Sequence, residues 1–215
     1  MQYPPLELRV WGKYACFTRP EMKTERVSYP VMTPSAARGM LEAVFWKPEF
    51  SWRIQEIWVL ENVRFASILR NEVNQKATVQ SAKKSYFVED DGNRTQRHSL
   101  VLQDVAYLIK ADVAVRKGVQ EDPAKFRDQF RRRVNRGQSY HRPYLGCREF
   151  AGDFCHPTGD ETPIPVTEEL GWVLFDLKFQ HNEQGKGIGG QPVFFQANLE
   201  NGILKVPQEK YEEVA

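Results

Sequence analysis

The sequence predicts an α+β protein, a ferredoxin-like core of two helices on an antiparallel sheet with a small C-terminal antiparallel sheet beside it. Three observations point there. Short segments alternate apolar and polar residues, two longer ones repeat apolar residues every three or four positions behind a capping residue and a proline, and the order begins strand, helix, strand, strand. With 215 residues the chain is long enough for a self-sufficient core, and we divide it into residues 1–150, carrying the ferredoxin-like unit, and 151–215, carrying the second sheet.

The first strand is read from Leu6, Leu8 and Val10, which alternate in "LELRVWGKYACF". Thr33 and Pro34 then open a helix as cap and first residue, and Ala37, Met40, Leu41, Val44 and Phe45 supply its apolar stripe until Pro48 stops it. "SWRIQEIWVL" and "NVRFASILRN" read as the next two strands. Residues 71–99 are polar and contain the turn signal "DDGNR", which predicts an insertion or a long surface hairpin. Unbroken alternation from Val105 to Val115 gives the clearest strand. A second helix follows, capped by Asp122, opened by Pro123, striped by Phe126, Phe130 and Val134, and closed by Gly137 in a left-handed conformation. "YLGCREF" is expected to be the strand after it, and "LGWVLFDLKF", "QPVFFQANL" and "GILKVP" the strands of the C-terminal sheet.

Composition excludes several classes. The chain is 41% hydrophobic and 27% charged, with no apolar run long enough to span a membrane. The N-terminus "MQYPPLELRV" lacks the basic and apolar regions of a secretory signal, which predicts a cytoplasmic protein without membrane contact. Cys16, Cys147 and Cys155 are an odd set at wide spacing, as expected of reduced thiols. A net charge of +2 conceals a basic block, "KFRDQFRRRVNRGQSYHR" from Lys125 to Arg142, whose one acid is Asp128. Such a block, interleaved with Phe126, Phe130 and Tyr140, is the footprint of a polyanion partner; the plain alternative is a solvated helix face.

The glycines of "GKGIGG", residues 185–190, match a dinucleotide fingerprint in letters only, because a strand pattern rather than a helix follows them. No metal is expected: Cys147, Cys155 and His156 lack ligand spacing, and the remaining histidines are isolated. No cofactor motif is present either. These exclusions leave metal-free phosphate chemistry, in which an RNA 2′-hydroxyl is the nucleophile and the protein moves protons and stabilises phosphate charge. Lys125, Tyr140 and His141 have suitable chemistry at the two ends of the basic helix and loop. The plain readings are a solvated helix lysine for Lys125, a half-buried aromatic for Tyr140 and a surface loop residue for His141.

Long segments carry a family resemblance: "RVWGKYACFTRPEMKTERVSYPVMTPSAARGMLEAVFWKP", "LRNEV", "DDGNRTQR", "PYLGCREF", "LGWVLFDLKF" and "FFQANLENGILKVP". Together they resemble the Cas-five family of type I-C (Dvulg subtype) CRISPR systems, a branch of the RAMP superfamily, from about residue 6 to residue 207. The resemblance implies an RRM-type ferredoxin-like domain and a metal-independent endoribonuclease. Such an enzyme cuts the repeat of precursor crRNA and keeps the 5′ handle as a subunit of the interference complex. It further implies a catalytic tyrosine in a helix-end I-Y-W-K-P motif and a lysine–histidine pair on the second helix. Here those positions are Phe45 in "VFWKP" and Lys125–Phe126, so only the lysine matches. His141 and Tyr140 are therefore the expected replacements, and Arg131, Arg132, Arg133, Arg136, Arg142, Arg38, Lys47, Arg19 and Arg26 the expected RNA contacts. The alternative is a crRNA-binding subunit with little or no cleavage that also binds double-stranded DNA without sequence preference.

Overall fold

The computed structural model describes residues 3–74, 78–79, 92–181 and 187–214. In chain order these form β1 (Leu6–Ala15), α1 (Pro34–Val44), β2 (Phe50–Val59), β3 (Phe65–Val73), β4 (Arg94–Val115), α2 (Pro123–Asn135), β5 (Asp153–Cys155), β6 (Glu168–His181), β7 (Gly187–Glu200) and β8 (Ile203–Lys205). A short turn and the helix α3 (Tyr211–Val214) follow. The strands form one sheet in the order β5-β1-β4-β2-β8-β7-β6, with β3 added to β4, and every named pair is antiparallel. β8 bridges β2 and β7, so strands from before and after residue 150 share that sheet.

Both long helices start as their sequences direct. The Thr33 hydroxyl accepts from the Ala36 amide at 3.3 Å and the Asp122 carboxylate accepts from the Ala124 amide at 2.8 Å, each followed by proline. Gly137 closes α2 at φ 59°. The apolar stripes meet over β2, where Phe50 lies 5.5 Å from Phe45 and 5.1 Å from Phe126, and Trp52 lies 4.9 Å from Phe130, ring centre to ring centre. These separations are those of favourable tilted and edge-on aromatic pairs.

β4 is longer than its apolar alternation indicates. Its second half pairs with β1 and β2, while residues 94–102 pair with β3, the part before Ser99 outside the core and Val101 and Leu102 still buried. Arms of a hairpin thus occupy both ends of the polar stretch 71–99, whose residues 75–77 and 80–91 lie outside the described residues. Asp90 and Asp91 of the turn signal and Gly185 and Lys186 of the glycine run lie outside them as well, and Gly187–Gly190 belong to β7.

The segment "YLGCREF" is a loop, not a strand. Gly146 sits at φ +85°, and a Cβ there would come within 2.0 Å of the Cys16 carbonyl, so the chain turns where a larger residue would have extended it. A hydrogen bond from the Phe150 amide to the Cys147 carbonyl (2.9 Å) closes the turn, and the expected strand begins at Asp153 instead. Arg127 also departs from the solvated-face reading. Its side chain is buried, paired with Asp112 and the Pro4 carbonyl, and lies 5.1 Å from the Tyr3 ring.

Candidate RNA-binding face and catalytic loop

Phe45 and Phe126, at the positions where the resemblance implies a tyrosine and a histidine, are 1% and 2% exposed and belong to the aromatic cluster over β2. Their rings help hold α1 and α2 together, and neither has a group that moves a proton. Lys125, in the first turn of α2, has a solvent-exposed side chain that pairs with Glu121 at 2.8 Å, four residues earlier. A charge so placed interacts weakly with its partner and is easily given up to a phosphate.

At the other end of α2 the chain makes a tight exit. The Gly137 and Gln138 amides donate to the Val134 and Arg133 carbonyls, and the Tyr140 amide then donates to the carbonyl of Ala43 in the last turn of α1 (2.7 Å). That bond anchors residues 138–142 where α1 ends, satisfying one of its open carbonyls. The Tyr140 ring is 84% exposed. His141 stands against Tyr144, nearly parallel at 6.0 Å, and its Nδ1 lies 3.1 Å from the Arg142 carbonyl. A carbonyl only accepts, so this contact fits a proton on Nδ1; in the neutral imidazole Nε2 is then the acceptor, the form needed in a general base. Tyr140, His141 and Arg142 are consecutive on this one exposed loop. Lys125 is not in contact with it; it lies ten positions before Asn135 in α2, about 15 Å along the axis.

The basic residues divide by surroundings. Arg132, Arg136 and Arg142 are exposed and have no carboxylate partner among the described residues, and Lys47, half-buried after α1, has none either. Arg131 pairs with Asp128 at 3.1 Å, and Arg133 lies 6.0 Å from the Phe45 ring in the last turn of α2, where positive charge also suits the helix dipole. Arg38 is engaged most fully: its Nε and Nη2 bond both Asp176 oxygens at 2.7 and 2.8 Å, and Nη1 bonds Glu42 at 2.9 Å. Burial works against its charge, yet these carboxylates outweigh it and hold the guanidinium above its ordinary pKa. Arg19 lies over the Tyr29 ring at 4.5 Å, and Arg26 bonds Glu149 at 3.1 Å, which Arg70 pairs as well.

A groove of about 450 Å³ beside α1 includes Trp46, Arg53, Arg116, Phe179 and Tyr211 above the Arg38–Asp176 pair. Trp46 is 53% exposed. It breaks the α1 stripe next to Phe45, and an apolar ring that leaves its helix's buried face is the signal in the sequence that points to it. Among the described residues no three histidine, cysteine or carboxylate side chains are grouped to hold a metal ion, and no helix is long and apolar enough to cross a membrane.

Comparison with known proteins agrees along the chain. The profile of a family described as CRISPR-associated protein (Cas5) matches residues 5–207. A relative from Thermus thermophilus, named CRISPR pre-crRNA endoribonuclease Cas5d, is 47% identical over 97% of this chain and 94% of its own length. One of the same name from Mannheimia succiniciproducens is 43% identical over 97% of each. Among solved structures, a CRISPR-associated protein superposes with a TM-score of 0.70 at 20% identity over 98% of this chain and 96% of that one. A functionally uncharacterized protein of Streptococcus mutans gives 0.67 at 21% over 96% and 94%. Identity this high over nearly the whole length, on a fold these structures share, establishes that the chain belongs to the Cas5d family of CRISPR-associated proteins.

Proposed function

We propose that this chain recognises the repeat of precursor crRNA in the cytoplasm, cleaves it without a metal ion, and retains the 5′ handle within an interference complex. The observation that carries this reading is the exposed Tyr140–His141–Arg142 loop, hydrogen-bonded to the end of α1 and continuous with the uncompensated arginines of α2. His141 Nε2 takes the proton of a 2′-hydroxyl, whose oxygen attacks the adjacent phosphorus. The bond from phosphorus to the 5′-oxygen breaks, and Tyr140 protonates that oxygen as it leaves. Arg142 and Arg136 stabilise the charge gathered on the phosphate. Lys125, Arg132 and Lys47 hold phosphates further along the RNA, with Arg131, Arg133, Arg19 and Arg26 behind them, while Arg38 stays with Asp176 and Glu42. Trp46 and Phe179 supply flat surfaces for unpaired bases.

The strand order β5-β1-β4-β2, with α1 and α2 as crossovers, supports the ferredoxin-like, RRM-type reading of the core. The names of the two curated relatives support the reaction. Burial of Phe45 and Phe126 favours a second reading, a guide-holding subunit that does not cut and also grips duplex DNA by charge. Incubating the protein with end-labelled repeat RNA in EDTA separates the two. The proposal expects a 5′-hydroxyl fragment and a 2′,3′-cyclic phosphate; fully bound RNA that stays intact overturns it.

A further inference from the structure

Away from the catalytic loop, two of the three cysteines have been brought together by the fold. Cys16 follows β1, and its amide donates to the Leu145 carbonyl at 3.0 Å, while Gly146 presses against its carbonyl. This backbone contact carries Cys147 onto Cys16: the Cys147 sulfur lies 3.7 Å from the Cys16 carbonyl oxygen, which brings the two thiols next to each other. Thr18 Oγ1 stands 3.4 Å from the Cys16 sulfur and 3.8 Å from that of Cys147. Arg26 points a guanidinium nitrogen at Cys147 from 3.7 Å. Glu149, the nearest carboxylate on the loop, is occupied by Arg26 and Arg70. Cys16 is buried and Cys147 is partly exposed. A groove of about 370 Å³, lined by Cys16, Thr18, Tyr144 and Gly146, opens beside them.

We propose that Cys147 is a site of modification by hydroperoxides, with Cys16 as the thiol that converts the oxidised cysteine into a reversible disulfide. The first step forms a bond from the Cys147 thiolate to the distal peroxide oxygen and breaks the O–O bond. Cys147 becomes a sulfenic acid and the peroxide leaves as an alcohol or water after taking a proton. In the second, the Cys16 sulfur attacks the Cys147 sulfur, the S–O bond breaks, and the departing hydroxide takes the Cys16 proton as water. Two electrons pass from the thiol pair to one peroxide. The surroundings suit each role. The Cys16 thiol beside it, with support from Thr18 and Arg26, lowers the Cys147 pKa to about 6 against the cost of burial, which makes it a thiolate at neutral pH. The same contact, with burial, keeps the proton on Cys16 while Cys147 is a thiolate. Oxidation of Cys147 removes that cause and frees Cys16 to react.

Non-reducing peptide mapping tests the proposal on the full chain after brief treatment with hydrogen peroxide. The expected product links tryptic peptides 14–23 and 137–148, disappears on reduction with dithiothreitol, and is absent from Cys147→Ser. In Cys16→Ser the intermediate should accumulate as a dimedone adduct on Cys147. Iodoacetamide should label Cys147 with a half-maximal rate near pH 6, ahead of Cys155. Treatment that leaves Cys147 reduced while Cys155 oxidises, or that carries Cys147 to sulfinic acid with no linked peptide, overturns the proposal. The wild-type result decides the matter even if the Cys16 variant does not fold.

Discussion

Arg38 on α1 and Arg136 at the end of α2 are the same residue in opposite circumstances. Arg38 is closed in by Asp176 of β6 and Glu42 of its own helix, so its charge ties two elements together. Arg136 stands in solvent with no carboxylate near it among the described residues, beside a loop that presents Tyr140, His141 and Arg142. A phosphate approaching Arg38 must displace Asp176, bound in two-pronged geometry, and Glu42, bound through Nη1. One approaching Arg136 displaces only water. The comparison teaches that the number of arginines in a sequence measures potential contacts, and compensation decides which are free to make them.

The proposal for the open face is broken most directly by His141→Ala. Loss of the base should slow single-turnover cleavage of repeat RNA by about 100-fold or more while leaving the Kd within about threefold. An unchanged rate would move the chemistry elsewhere on the protein. The seam is tested by Asp176→Ala, which strands Arg38 with Glu42 alone. The expected cost is about 2 kcal/mol in denaturant unfolding, below the usual cost of breaking a buried pair because Arg38 still reaches water. A variant as stable as the wild type would show that the pair does not hold α1 to β6. Lys125→Ala should have the smallest effect, weakening binding by about threefold and cleavage by a similar factor, as the loss of one exposed phosphate contact does. A large drop in cleavage at unchanged affinity would instead place Lys125 at the reacting phosphate.

The features legible in the sequence were those written in local chemistry. Thr33 with Pro34 and Asp122 with Pro123 mark the starts of both long helices and Gly137 the end of the second, because each acts through neighbours a few residues away. The strands with a buried face were equally readable. The first half of β4 was not: residues 94–98 pair with β3 outside the core, so their alternation carries few apolar residues. The loop 144–150 imitates a strand in composition, and only the contact of Gly146 with Cys16 turns it. Within the candidate site, the basic face of α2 and the Tyr140–His141 loop could be named from sequence. The anchoring bond to Ala43 and the capture of Arg38 by a residue 138 positions away could not, since neither partner is marked by spacing. Phe126 was legible as core from its stripe. Phe45 is legible as a departure from the tyrosine that the resemblance implies, and the fold adds that its ring is buried against Phe50.

The salt dependence of repeat-RNA binding measures the contrast between compensated and open arginines most directly. Each phosphate contact removed lowers the slope of log K against log salt by about 1, whereas a residue that never touches RNA leaves it alone. The account predicts a slope shallower by about 2 in Arg132→Ala/Arg136→Ala and unchanged in folded Arg38→Gln. A slope lost in Arg38→Gln and retained in the α2 double variant would contradict it.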